Sequence, residues 1–331
     1  MLPDNILTWL LDSSDPSLRY RTSIELLGLS SNDPDLLECK RSIASSEAVQ
    51  HILSRMHSDG YWLQQNPRTK KVVGDGVEYG SFATTHFCLS YLAELGMDRT
   101  DKLVDKAAKR YLNLQQSDGD WLCPSSLLNR PDGDWYGHFS CLYGYNIVTF
   151  VRLGYSDDPR LERAVNLMLN SIRQDNGYLC DFHESHQGKR TPKSCIRGST
   201  KALEAFAALG TQYQNHESCV GVVNYFLNRG GIYKTSRPDD LVNKDVQTLI
   251  FPFHWRAGLV QILYSLSKMG YGKDPRLARA WELLDSKADS QGRYPLEWTP
   301  SQSLWKVGKR GLPNKWLTFY SYLALKYRDA S

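Results

Sequence analysis

The sequence predicts an all-α protein in which six inner and six outer helices close into a ring, an (α/α)6 toroid. The first observation is a repeat of about 58 residues, in which an amphipathic segment ends in a glycine with an aromatic residue close by. The repeated glycines are Gly60, Gly119, Gly177, Gly231 and Gly292. The second observation is a pair of helical segments in each repeat, the first of which ends in Leu-Gly or an equivalent. Because a closed ring buries the end repeats, we expect a single domain over residues 1–331.

The inner helices are apolar on more than one side and alternate with amphipathic outer helices. We expect the inner helices at residues 16–28, 80–95, 138–153, 195–209, 252–269 and 314–327. We expect the outer helices at residues 4–11, 35–57, 100–116, 158–173, 216–228 and 275–287. The Asp-Pro pairs at 158–159 and 274–275 predict helix starts, because an aspartate can cap a helix and proline fits its first turn.

The composition excludes several classes of protein. Lys and Arg number 40 against 36 Asp and Glu, and no segment concentrates the net charge of +4, so we expect no nucleic-acid partner. No apolar run approaches the roughly 18 residues of a membrane span, and the first residues lack a basic leader. We therefore expect no integral membrane contact and a cytoplasmic location. The seven cysteines favour reduced thiols or metal ligands over a disulfide scaffold. The oligomeric state is not predicted.

The repeat turns read QQSDGDW at residues 115–121 and, more loosely, QDNGY at 174–178. These turns between paired helices resemble those of the terpenoid cyclase and protein prenyltransferase β-subunit superfamily. More narrowly, the chain looks like the short bacterial proteins described as prenyltransferase or squalene-cyclase repeat proteins. The resemblance covers residues 16–327. It implies a helical toroid and an enzyme that acts in a rim cavity on a small hydrophobic, isoprenoid-like substrate.

Cysteines recur at matching places in two adjacent repeats. Cys123 and Cys180 follow repeat glycines, and Cys141 and Cys195 open the next inner helices. Glycine turns and inner-helix starts share one rim of a toroid, so these thiols can converge there with His254 and predict a zinc site. Without a metal, the thiols would be packing residues or, at Cys141 and Cys195, thiolates whose pKa a helix N-terminus lowers.

The resemblance adds detail to this zinc site. Zinc-dependent protein prenyltransferases have Asp-x-Cys at the start of one inner helix and a histidine at the start of the next. The segments KSC (193–195) and FHW (253–255) fall at those places, so Cys195 matches the cysteine and His254 the histidine. Lys193 stands where that family has aspartate, and the D-x-D-D motif of class II terpene cyclases is absent. The resemblance therefore implies neither an ordinary cyclase nor an ordinary protein prenyltransferase.

Further candidates come from the acids, aromatics and histidines of the same rim. The predicted catalytic residues are Cys195, His254, Asp134, Asp239 and His138. The predicted substrate-binding residues are Trp135, Tyr136, Tyr145, Trp255 and Arg256. The two aspartates precede inner helices and suit acid–base or anion-holding roles, and the rings suit packing or cation–π contact with a substrate.

Two other functions stay open at this point. In a toroid of the polysaccharide lyase kind, Tyr136 or His138 would abstract a proton. The second is a non-catalytic toroid that binds a lipid or a peptide. The acids Asp118 and Asp120, in contrast, are expected to serve only the turn in which they lie.

Overall fold

The computed structural model describes residues 2–65, 70–78, 81–124, 136–180 and 193–330, with backbone only at 123, 124, 136 and 137. Most of the regular structure in these residues is helical. The helices are α1 (Asp4–Leu11), α2 (Pro16–Arg21), α3 (Pro34–Ile43), α4 (Glu47–Leu53), α5 (Thr85–Glu94), α6 (Lys102–Leu112), α7 (Ser140–Arg152), α8 (Pro159–Asn170), α9 (Ile196–Leu209), α10 (Glu217–Leu227), α11 (Leu259–Lys268), α12 (Ala278–Asp285) and α13 (Lys315–Ala330). A π-helical turn, Thr22–Leu26, continues α2.

Within the described residues, three antiparallel hairpins accompany these helices. They pair β1 (Gln64–Gln65) with β2 (Val72–Val73), β3 (Cys123–Pro124) with β4 (Tyr136–Gly137), and β5 (Tyr233–Lys234) with β6 (Arg237–Leu241). In register, Gln64 faces Val73 and Cys123 faces Gly137. Each hairpin follows a glycine-aromatic turn, so the all-α expectation holds for the framework and misses these short connections.

The predicted helix ends occur for the predicted reasons. The side chains of Asp158 and Asp274 accept the backbone N–H two residues further on, with proline in the first turn. Gly96 and Gly154 follow α5 and α7 with φ of 90° and 86°, a conformation that favours glycine. The sequence therefore sets both ends of these helices locally.

Helices of two kinds build the core. Ten of the thirteen residues of α7 are buried, against four of the twelve in α8, so α7 is an inner helix and α8 an outer one. Packing joins α5 to α7, α7 to α9, α9 to α11 and α11 to α13, and α13 also contacts the π-helical turn Thr22–Leu26. Among the residues that the structure describes, every helix is too short or too polar to cross a membrane.

The largest differences from the predicted helices occur at two places. The outer helix expected over 35–57 is divided into α3 and α4, because Ser46 caps a new start by accepting the N–H of Val49. The inner helix expected over 252–269 begins only at Leu259. Pro252 has no N–H, and the preceding Phe251 donates its own to the carbonyl of Trp298. The segment 253–255 therefore lies in a loop before the helix.

The glycine-aromatic turns share one hydrogen-bond pattern. In the turns that contain Gly60, Gly119 and Gly292, this glycine has a positive φ and donates its N–H to the carbonyl three residues earlier. In the third turn Asn176 takes that place with φ of 64°. Gly177 instead allows close packing, since a Cβ there would lie 2.5 Å from Cβ of Ser194.

Candidate functional site

The predicted rim is formed by the starts of the inner helices and the segments that precede them. The first turns of α7 and α9 touch there, because a Cβ on Gly198 would lie 2.2 Å from Oγ of Ser140. Asp134 and Trp135 lie outside the described residues, as do the side chains of Cys123 and Tyr136. The remaining predicted residues can be placed.

His138 and Asp120 form a hydrogen-bonded pair just before α7. Nδ1 of His138 lies 2.7 Å from Oδ2 of Asp120, whose side chain is fully buried, whereas the imidazole is 45% exposed. Burial raises the pKa of Asp120, and the hydrogen bond with His138 opposes that rise. A carboxylate that accepts at Nδ1 requires the proton on that nitrogen, so the imidazole lone pair lies on Nε2. This is the arrangement of an oriented general base.

The repeat pattern explains why Asp120 is available for this contact. In three turns, the backbone N–H of the aromatic residue donates to a hydroxyl of the next inner helix: Trp62 to Thr85, Tyr178 to Ser199, and Tyr294 to Thr318. At the matching place, counted back from the glycines that follow α5, α7 and α9, α7 has Tyr143, and Trp121 donates to Oδ1 of Asp120 instead. Gly144 is required by packing, because a Cβ there would lie 2.8 Å from the backbone of Lys201. The second turn thus departs from the pattern at the residue that binds His138.

Two arginines from separate segments converge on one carboxylate. Arg197, in the first turn of α9, and Arg256, in the loop before α11, each place a guanidinium nitrogen 3.5 Å from Oδ2 of Asp245. The Arg197 guanidinium lies 4.7 Å from the ring centre of Trp255, and that of Arg256 lies 4.6 Å from Trp298. We call these five residues the rim arginine cluster. Two cations against one carboxylate leave an excess positive charge, which suits an anionic group.

His254 is buried in the loop beside this cluster. Its Nδ1 accepts the N–H of Arg256 at 3.2 Å, so the ring proton is on Nε2, which has no hydrogen-bond partner among the described residues. The rings of Phe82 and Trp298 lie 5.2 Å and 4.6 Å from the imidazole. Burial and then the charges of Lys201 and Arg256 lower the pKa of His254. The imidazole is therefore neutral, and it can donate but not accept at Nε2.

The thiols of Cys141, in the first turn of α7, and Cys180, after the third glycine-aromatic turn, lie close together. The sulfur atoms of Cys141 and Cys180 are 3.5 Å apart, and Cys180 is 3.2 Å from Oγ of Ser140. Both cysteines are unoxidised. Burial and then the neighbouring Cys180 raise the pKa of Cys195, so the expectation of a lowered pKa at this helix start is wrong. Burial outweighs the N–H groups of the helix N-terminus here.

The zinc prediction gains no support from the part of the chain that the structure describes. Within it, no three His, Cys, Asp or Glu side chains are arranged to hold a metal ion. His254 does not fit such a site, because its Nδ1 accepts an amide and cations surround it. Since the Cys123 side chain and residues 181–192 are outside the described residues, zinc at Cys123, Cys141, Cys180 and Cys195 stays a prediction.

Of two further candidates, Asp239 lies away from the rim arginine cluster, and Tyr145 serves packing. Asp239 lies on β6 with its side chain 95% exposed, and it pairs with Arg279 of α12 at 3.1 Å. Tyr145 is buried, and its hydroxyl donates to the carbonyl of Phe253 at 3.3 Å, which joins α7 to the loop before α11. Tyr145 therefore holds this loop in place.

The sequence predicts only a turn role for Asp120 and no role for Arg197 or Asp245. A signal for Asp120 exists in the sequence, because Tyr143 stands where the matching helices have Ser or Thr. No comparable signal exists for Arg197 and Asp245, which meet Arg256 at the rim. Three separate segments bring them together, so their meeting depends on the tertiary fold.

No family model matches this sequence, and a search of curated proteins returns no match. Solved structures do match it. A glycosyl hydrolase of family 88 from Bacteroides vulgatus aligns with 95% of this chain and 90% of its own, at a TM-score of 0.51 and 15% identity. A polysaccharide lyase aligns with 95% and 89%, at 0.49 and 13%. The type II terpene cyclase MstE from Scytonema aligns with 88% and 98%, at 0.32 and 14%. The likeness to the hydrolase shows a shared fold, that of the α/α toroids.

Proposed function

We propose that this protein is an enzyme that removes a proton from a carboxylate-bearing sugar, with His138 as general base. The observation that carries this proposal is the 2.7 Å contact between His138 and the buried Asp120. A carboxylate at Nδ1 fixes the tautomer and stabilises the imidazolium that forms when Nε2 takes a proton. The proposal includes one closed (α/α)6 ring with repeats of about 58 residues, supported by the successive packing of the inner helices.

The rim arginine cluster supplies the second part of the proposed site. Helices α7 and α9 touch at Ser140 and Gly198. His138 lies two residues before Ser140, and Arg197 directly precedes Gly198. The base and one arginine therefore flank the same helix junction. The guanidinium of Arg256, whose side chain is 26% exposed, is a further donor for a substrate carboxylate.

These two parts suit a β-elimination on a uronate residue. Pairing of the substrate carboxylate with arginine makes the proton on the neighbouring carbon easier to remove. Nε2 of His138 takes this proton, and the electron pair of the C–H bond forms a C=C bond. The bond from the next carbon to the glycosidic oxygen breaks, and the proton on the imidazolium returns to that oxygen. Atoms and charges balance without a further reactant.

A second candidate is the isoprenoid-like substrate that the sequence resemblance implies. The rings of Phe82, Trp255 and Trp298 around His254 favour it, because aromatic surfaces pack against apolar chains. The positive charge around His254 opposes a carbocation at this place. The same positive charge would bind the diphosphate of an activated isoprenoid. Both candidate substrates therefore place an anionic group at the rim arginine cluster.

Turnover assays with uronate oligosaccharides and with isoprenyl diphosphates distinguish the candidates. The proposal expects an unsaturated uronate product, detected by ultraviolet absorbance and mass, and a loss of about a hundredfold or more in His138→Gln and Asp120→Asn. Asp118→Asn is the matched control, because it removes a charge from the exposed acid of the same turn. Product from the diphosphates alone would contradict the proposal. Binding without turnover of either class would favour a non-catalytic toroid.

A further inference from the structure

A cavity lies at the other end of the inner helices, away from the rim. Its volume is about 320 Å³, and its walls include Arg152 and Lys268, the last residues of α7 and α11, and Arg21, the last residue of α2. Since α7 has thirteen residues, its two ends are about 18 Å apart. The cavity is therefore separate from the site proposed at the rim.

Ion-paired side chains form the inner wall of this cavity. Glu94 of α5 is buried and pairs with both Arg21 and Arg152. The hydroxyl of Tyr320 also accepts from Arg21 at 2.9 Å and from Arg152 at 3.2 Å. Glu25 takes the remaining side of Arg21. The two arginines are thus held by groups of the protein itself.

Lys268 takes no part in these ion pairs. Glu204, the nearby acid on α9, is already bound to Lys201 at 2.7 Å and to Gln261 at 2.6 Å. Among the described residues, the Lys268 ammonium has no ion pair, and its nearest ring contact is Tyr264 at 5.9 Å. Surrounding protein atoms and then the charge of Arg152 lower the pKa of Lys268 to about 8, although the residue stays open to solvent through the cavity mouth.

The charged side chains on the cavity wall and directly behind it do not sum to zero net charge. Four are positive (Arg21, Arg152, Lys201 and Lys268) and three are negative (Glu25, Glu94 and Glu204). One positive charge therefore remains, at the position where Lys268 meets solvent. The adjoining walls are apolar and come from Val148, Val151 and the alanines at 93, 207 and 208.

We propose that this cavity binds a small monocarboxylate with an apolar body, whose carboxylate pairs with Lys268 while its body contacts the valine and alanine walls. The single excess charge suits a monoanion, and the volume suits a small organic acid. The site is independent of the function proposed for the rim. The titratable and charged groups around Lys268 are Tyr20, Arg21, Glu25, Arg152, Glu204 and Tyr264.

Titration calorimetry on the full chain tests this proposal with butyrate and benzoate, their uncharged amides, and inorganic phosphate. We expect the two carboxylates to bind and the amides not to bind. The affinity for carboxylate falls about tenfold or more in Lys268→Met and is retained in Lys268→Arg. Lys102→Met, on the exposed face of α6, is the matched control and leaves binding unchanged.

Carboxylate binding also weakens as the pH rises above about 8, because the Lys268 ammonium loses its proton there. Lys268 is open to solvent, so its variants are expected to fold, and thermal unfolding checks this. Equal binding of amides and carboxylates, carboxylate affinity unchanged in Lys268→Met, tighter binding of phosphate than of carboxylates, or no carboxylate binding to the wild type would each overturn the proposal.

Discussion

Oδ2 of Asp120 lies 2.7 Å from Nδ1 of His138, in the turn whose partner helix has Tyr143 in place of a serine or threonine. The carboxylate therefore takes over the backbone N–H of Trp121 with one oxygen and orients the imidazole with the other. A fully buried acid that holds a half-exposed histidine is unusual in a turn that elsewhere only connects two helices.

The first prediction concerns the stability of Asp120→Asn. Burial raises the pKa of Asp120 above 3.8, so the acid's contribution to stability is full below its unfolded pKa and is lost as the pH rises through the folded pKa. An uncharged Asn avoids the cost of a buried carboxylate at neutral pH. We expect this variant to melt at or above the wild-type temperature at neutral pH and to lose this advantage below pH 3.8.

Thermal unfolding of Asp120→Asn and Asp118→Asn at both pH values checks this first prediction. Asp118 is exposed, so its variant is expected to behave like the wild type at neutral pH. A clearly lower melting temperature for Asp120→Asn at neutral pH would mean that the ionised pair stabilises the fold. The pair would then have a structural role.

Asp245 competes with any anion for the two rim arginines. Asp245→Asn removes that carboxylate while Arg197 and Arg256 keep their positions over the tryptophan rings. We expect the variant to bind an anionic substrate more tightly, by about threefold to tenfold in KM or Kd, with a steeper dependence on salt. Asp240→Asn, in the hairpin of β5 and β6, is a control of similar exposure. Weaker anion binding in Asp245→Asn would show that Asp245 orients the arginines.

Glu94 stabilises the opposite end of the inner helices. Burial raises its pKa, but Arg152 and then Arg21 outweigh burial and hold the pKa of Glu94 below 4.5. Its contribution is therefore present above pH 4.5 and is lost as the pH falls through the folded pKa. Glu94→Gln leaves two largely buried cations, 12% and 27% exposed, without their shared acid, so we expect the free energy of unfolding to fall by about 3–5 kcal/mol at neutral pH.

Denaturant unfolding at neutral and acidic pH tests the role of Glu94. The difference between the wild type and Glu94→Gln should shrink on acidification. Glu25→Gln, which affects an acid that is one-quarter exposed and pairs with Arg21, should lose only about 1 kcal/mol or less. Equal losses in the two variants would contradict a central role for Glu94.

Gly144 is predicted to be a packing requirement between α7 and α9. A Cβ there would meet the backbone of Lys201 at 2.8 Å, and backbone cannot rotate away. Gly144→Ala should therefore lower the free energy of unfolding by about 1–3 kcal/mol. Gly76→Ala is the control, since a Cβ at Gly76 meets no atom within 4 Å. If both variants unfold alike, the two helices are not in close contact.

Much of the fold can be predicted from the sequence because its signals are local. The Asp-Pro pair at 158–159 and the glycine stop at Gly154 set helix ends within a few residues of themselves. The start of α11 is different. Residues 252–258 leave the helix because Phe251 bonds to Trp298, almost fifty residues later, and no local pattern reports that contact.

The candidate site is predictable only in part, for the same reason. His138, Trp255 and Arg256 can be chosen by their place in the repeat. The sequence predicts only a turn role for Asp120 until Tyr143 is matched with the serine and threonine of the other helices. Burial, which decides the pKa of Cys195, is a property of the packed structure and has no sequence signal here.

The tautomer of His138 is the most direct test of the central claim, and it needs no substrate. Nitrogen NMR of imidazole-labelled protein distinguishes a proton on Nδ1 from one on Nε2. We predict the Nδ1–H tautomer at His138 in the wild type and in Asp118→Asn, and its loss in Asp120→Asn, because the buried carboxylate holds the proton on Nδ1. An Nε2–H tautomer in the wild type, or the same tautomer with and without Asp120, would contradict the assignment of His138 as an oriented general base.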